Sequence, residues 1–168
     1  PPLDALCARV EARFPALGKV RARAAKPDAG LPDTLLVDGA TVSMHIVQAP
    51  YPPDQLQAPV KLVEPRDTEA VGRAHVCYVL LGADAPDGAE WTAAYSAIVT
   101  ILAAVVAEEA PALGVFWPAS WALRTVEETG EAADGIMRGG IPRSFWVGLA
   151  EVRAAKQGGF DMRGLMSF

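Results

Sequence analysis

The sequence predicts an α+β fold: a single domain, residues 1–168, whose mixed and mostly antiparallel sheet has helices packed against it. Three observations carry that prediction. Asp38-Gly39 separates two β-rich runs, "TLLV" and "TVSMHIV", and suits the positive φ angles of a tight hairpin turn. From Trp91 to Ala107 the chain runs 17 residues without a charge, a length and composition that suit a buried helix. Strand and helix signals are also partly segregated along the chain. A chain of 168 residues can bury one sizeable core.

The elements follow in order. Leu3, Leu6, Val10 and Phe14 recur at helical spacing, with Asp4 as the expected cap and Pro15 and Gly18 as the stop. "KVRARAAK" alternates Lys19, Arg21 and Arg23 against Val20, Ala22 and Ala24, which predicts a half-exposed strand whose cationic face blunts an open edge. In the hairpin's second strand Val42, Met44 and Ile46 share one face. Prolines 50, 52, 53 and 59 then end the pairing, and a short helix is expected near 68–71. "AHVCYVLLGA" is apolar on both faces and reads as the central strand, opened by His75. Asp87 and Glu90 form a capping-box pattern before the long helix, whose stripe is Trp91, Tyr95, Ile98, Leu102 and Val105. "LGVFW" is a short buried strand, and the segment 74–117 is expected to add a parallel pair through its helix. Thr125 and Glu128 make a second capping box for a helix over 126–138, ended by Gly139-Gly140. "SFWVGLAEV" gives the last strand, followed by a Gly turn and a short tail over 156–168.

Composition narrows the function. The chain is 51% hydrophobic and 21% charged, ordinary for a folded protein, with a net charge of −5. Residues 1–26 carry six Lys and Arg against Asp4 and Glu11; residues 84–134 carry nine Asp and Glu against Arg124 alone. An acidic chain without a dominant basic face argues against nucleic acid and against an anionic membrane. The uncharged run at 91–107 is Ala-rich and bracketed by Glu90 and Glu108-Glu109, which argues against a membrane span. Cys7 and Cys77 make no CxxC pair and no disulfide framework, and the first residues do not resemble a secretion signal, so a reducing cytoplasm is expected.

The sequence holds few reactive groupings. His45 and His75 lack any HxH, HxxxH or carboxylate-adjacent spacing, so no metal site is expected. No G-x-S-x-G elbow, S-x-x-K or phosphate-cradling glycine loop occurs, and no cofactor is expected. Ser120 in "WPASW" reads as a turn residue. "MRGGIPR" sets Arg138 and Arg143 at a helix C-terminus, the wrong dipole end for an anion. Glu127, Glu128, Glu131 and Asp134 lie on one helix and read as a solvated face. Trp117, Trp121 and Trp146 are candidates for an aromatic cluster at the sheet's end; a partly exposed Trp121 would mark a recognition surface.

Four blocks, "VSMHIVQAPYP", "AHVCYVLL", "ALGVFWPAS" and "IPRSFWVGLAEV", together with the tail "RGLMSF", resemble a bacterial family known as domain of unknown function four-two-six-one. The resemblance covers roughly residues 35–168 and rests on the order and spacing of the blocks, at Pro50, Pro52, His75, Gly114, Trp117, Pro142, Trp146, Gly164 and Leu165. It implies a bacterial, cytosolic protein and assigns no reaction and no catalytic residue. Family members continue into one more strand where this chain ends.

Two expectations follow. The first is a non-catalytic domain acting through a protein partner (regulatory, scaffold or immunity-like), with the acidic helix at 126–138 and the aromatics near 117–121 as its surface. The second is a small enzyme or ligand-binding domain with a cleft near His75, Trp117 and Arg143. Convergence of His75, a carboxylate and an arginine in one pocket separates them. The oligomeric state is left open, a dimer included.

Overall fold

Helix α1 (Leu3–Arg13) forms where the apolar stripe dictates: Leu6, Cys7 and Val10 are buried along it, and Phe14 follows them inward. It ends at Phe14 because Pro15 excludes the helical conformation from the residue before it, and φ and ψ there are −126° and 64°. Its N-cap is Pro2 rather than Asp4. Asp4 lies inside the first turn and makes no capping hydrogen bond, contributing only its charge near the positive helix end. The computed structural model describes residues 2–25, 32–56, 71, 73–84, 93–120, 122–153 and 158–164.

Strands β1 (Arg21–Arg23), β2 (Asp33–Val37), β3 (Ala40–Val47) and β4 (Tyr78–Asp84) form one sheet in that order, every pair antiparallel. The β2–β3 turn is the tight one expected: Val37 pairs with Ala40, and Asp38 and Gly39 take φ of 47° and 79°. Register then fixes the faces. Leu35 opposes Val42, Val42 opposes Ala83 and Met44 opposes Leu81, so these residues line the inner face. Helix α2 (Pro53–Leu56) is one turn after β3.

Helix α3 (Ala93–Glu109) lies against that face. Its residues from Ile98 to Val105 are buried without a break, so it is surrounded rather than laid flat on one stripe. The sheet covers one side; α1 and helix α4 (Val126–Met137) flank it. Leu6, Val10, Leu35, Val42, Ile101 and Leu102 make the centre of the core. Short strands β5 (Val115–Trp117) and β6 (Ala122–Arg124) pair antiparallel around the Pro118–Ser120 turn. Helix α5 (Arg143–Trp146) leads into β7 (Val147–Arg153), which pairs antiparallel with β8 (Gly158–Gly164).

Both ends of α4 are sealed by local chemistry. Thr125 Oγ1 accepts from the Glu128 N–H at 3.1 Å, and the Thr125 N–H donates to Glu128 Oε2 at 2.8 Å, the reciprocal box expected from sequence. At the other end the Gly139 N–H donates to Ile136 O and the Gly140 N–H to Gly135 O, with φ of 81° at Gly139. Thr125→Ala is expected to lower stability by about 1 kcal/mol and Thr125→Asp by much less, read from urea denaturation. An equal loss in both variants would show that the cap contributes nothing.

The α+β architecture is as expected, yet several elements differ. "AHVCYVLLGA" is not central: β4 pairs with β3 alone among the described strands, and Val76 and Cys77 before it are exposed. His75 precedes the strand, after a helical turn that includes Val71, Arg73 and Ala74. Among the described strands no parallel pair forms through α3, and β5 instead turns back on β6. Trp146 ends a helical turn begun at Pro142 instead of sitting on the last strand, its N–H bonded to Pro142 O. Residues 158–164 of the expected tail form β8. Ile46 shares the inner face by register yet is 56% exposed. Asp87, Glu90, Trp91, Trp121, Leu165 and most of the helix expected near 68–71 lie outside the described residues.

Candidate functional site

His75 is held at both ring nitrogens. Nε2 lies 2.6 Å from the Tyr51 N–H and Nδ1 lies 2.8 Å from Val71 O. An amide can only donate and a carbonyl can only accept, so this geometry requires a neutral ring protonated at Nδ1. Both nitrogens are spent on backbone groups. Tyr51 in turn packs edge-on against Tyr78, with centroids 5.1 Å apart at 82°, and against Phe116 at 5.9 Å. The imidazole thereby ties the chain after β3 to β4 and β5.

Trp146 and Trp117 also serve packing. Trp146 is fully buried beside Ala132, and its Nε1–H donates to Thr100 Oγ1 at 2.9 Å; the Thr100 hydroxyl in turn donates to Ser96 O at 2.7 Å. Trp117 is half-buried and packs on both this group and the main core. Ser120 is buried in the intervening turn, its Oγ toward Trp117 O, which suits the turn role expected of it. Arg143 is exposed, with its N–H bonded to Ile141 O.

The segregation of charge along the chain resolves inside the molecule. Arg9 Nε meets Glu109 Oε1 at 2.8 Å, while Arg13 bonds Glu108 and reaches Asp134 Oδ1 at 3.4 Å. Arg13 also lies over the Phe14 ring, 4.9 Å from its centroid. Burial pulls the Arg13 guanidinium down, but the hydrogen bond and charge of Glu108, backed by Asp134, outweigh it and hold the group above its ordinary value. Gly130 makes room: a Cβ there would stand 3.2 Å from Arg13 Nη2. Two carboxylates at the negative end of α3 are unfavourable alone, and the α1 arginines offset them.

An open cleft of about 380 Å³ lies along α4. Glu128 and Glu131 come from the helix, Arg124 from the end of β6, and Ile141 and Pro142 from the loop after the glycine stop. Ala132, Gly135 and Gly140 leave the wall low. Glu131 is exposed, Glu128 is tied to the cap, and Ile141 is 48% exposed. Among the described lining residues there is no imidazole, thiol or hydroxyl. Ile141 and Pro142 beside exposed Glu131 can receive an apolar side chain next to a cation, and Arg124 adds one positive charge to the same lining. Of the residues singled out in the sequence, His75, Trp117, Trp146 and Arg143 do not line this cleft; Trp121 is outside the described residues. The cleft's carboxylates were visible as a helix face; Ile141 and Pro142 had no signal beyond a loop.

Among the described residues no group of three or more His, Cys, Asp or Glu is placed to hold a metal ion, and no helix is long and apolar enough to cross a membrane. Burial, followed by the charges of Asp4 and Glu11, pushes the Cys7 thiol up, whereas Cys77 is exposed. The fold therefore keeps the Cys7 proton at pH values where an unfolded chain releases it. Stability is unaffected below the ordinary thiol value of 9.0 and falls as pH rises through it toward the folded value. Cys7→Val is expected to flatten that alkaline decline in denaturation curves, and iodoacetamide to modify Cys77 first. An unchanged decline would assign it to other groups. No protein-family profile, curated protein or solved structure matches the chain.

Proposed function

We propose that this chain is a non-catalytic bacterial cytosolic domain that binds a protein partner through the α4 cleft. The observation that carries the reading is the cleft itself, which exposed Ile141 and half-buried Pro142 line together with exposed Glu131. The favoured partner presents an apolar side chain next to a Lys or Arg, the first meeting Ile141 and Pro142 and the second Glu131. The backbone bonds at both His75 nitrogens support the same reading, because that imidazole has no free position from which to move a substrate proton. The blocks that resemble the bacterial unknown-function family fit a cytosolic setting and supply no reaction.

Immobilised protein exposed to bacterial lysate tests it. The reading expects a partner whose capture falls about tenfold or more for Ile141→Asp and for Glu131→Lys, and stays unchanged for Leu36→Asp on the far sheet face. Capture insensitive to both cleft variants would overturn it. So would turnover of a small metabolite that His75→Gln abolishes in a folded protein.

A further inference from the structure

The four-stranded sheet ends differently on its two sides. β1 sets Arg21 and Arg23, both exposed, along one edge, where cationic side chains discourage a further strand. β4 is the other edge. Its seven residues, "YVLLGAD", contain no Lys, Arg or Pro, and they pair with β3 without a bulge from Tyr78↔Val47 to Asp84↔Thr41. No described strand lies on its outer side. A long, regular, apolar edge of this kind is a template for strand addition.

The geometry points to a second copy of this chain as the occupant, paired antiparallel through β4 about a two-fold axis at Leu81. This is the register that pairs all seven residues of one strand with those of the other, and it is self-complementary. Leu81 meets its own copy, Leu80 falls opposite Gly82, and Val79 falls opposite Ala83, so larger side chains face smaller ones. Leu80 is 45% exposed on the outer face and gains cover across Gly82. Gly82 is small for a reason within the monomer, since a Cβ there would stand 3.2 Å from Ser43 Oγ. Two four-stranded sheets then become one continuous sheet, in which the arginine-bearing β1 strands are the two outer edges among the described strands. This contact uses a different surface from the α4 cleft and stands whether or not that cleft binds a partner.

Sedimentation velocity at micromolar concentration tests it, with twice the 17.7 kDa chain mass expected. Leu80→Lys is expected to give a monomer with unchanged circular dichroism, while Leu36→Lys, an exposed position on an interior strand of the same face, stays dimeric. A nitroxide on exposed Cys77 supplies the register. The two labels sit twice the four steps from 77 to 81 apart, about 26 Å along the joined strands at ~3.3 Å per residue. A monomer at all concentrations, a dimer indifferent to Leu80→Lys, or a label separation far from that distance would overturn the pairing.

Discussion

Trp146→Ala is expected to lower the unfolding free energy by about 3–5 kcal/mol, the range for removing a buried indole. Trp146 is 1% exposed and is the largest fully buried side chain among the described residues. Its loss leaves a cavity beside Ala132 and Trp117, and the β5–β6 ribbon cannot collapse into it without leaving Tyr51. The hydrogen bond is the smaller part. Thr100 still donates to Ser96 O when the indole is gone, so Trp146→Phe is expected to cost far less than Trp146→Ala. Urea denaturation followed by circular dichroism reads both. A cost below about 1 kcal/mol for the alanine variant would contradict the placement of Trp146 in the core.

Gly114→Ala is the second large effect, at about 2–3 kcal/mol. A Cβ at Gly114 would stand 2.8 Å from Arg124 O and 3.2 Å from Leu123 Cδ1. The first of these is a backbone carbonyl in a paired strand, which cannot swing aside as a side chain can. Relief requires β5 to part from β6, and Phe116 then leaves Tyr51. Gly135→Ala is the matched control. It lies inside α4 with nothing within 4 Å of the added carbon, so helix propensity should raise stability by roughly 0.5–1 kcal/mol. Opposite signs for one chemical change in two glycines separate steric contact from backbone entropy. The same sign in both would show that the Arg124 carbonyl yields.

What could be read from the chain beforehand was the chemistry that acts over a few residues. Asp38-Gly39 specified its turn, Thr125 and Glu128 their cap, and Gly139-Gly140 the end of α4, because each motif satisfies its own backbone groups. Long-range pairing was less visible. "AHVCYVLLGA" is apolar enough for a central strand, but apolarity cannot distinguish a strand buried on both faces from an edge with Leu80 exposed. The three-residue strands β5 and β6 carry too little pattern to announce a ribbon. The acidic helix at 126–138 reads from the sequence as a partner surface, yet part of the uneven charge is answered within the fold, where Arg13 and Glu108, 95 residues apart, meet at the junction of three helices. At the cleft, the Glu131 face of α4 was legible from its period, whereas Ile141 joins it only because the Schellman stop folds the loop back.

Hydrogen–deuterium exchange on the complex with the captured partner tests the central claim most directly. The account predicts new protection in peptides covering Arg124–Pro142, with the His75 segment unchanged between free and bound protein. Protection centred on Tyr51 and His75, with none along α4, would contradict it.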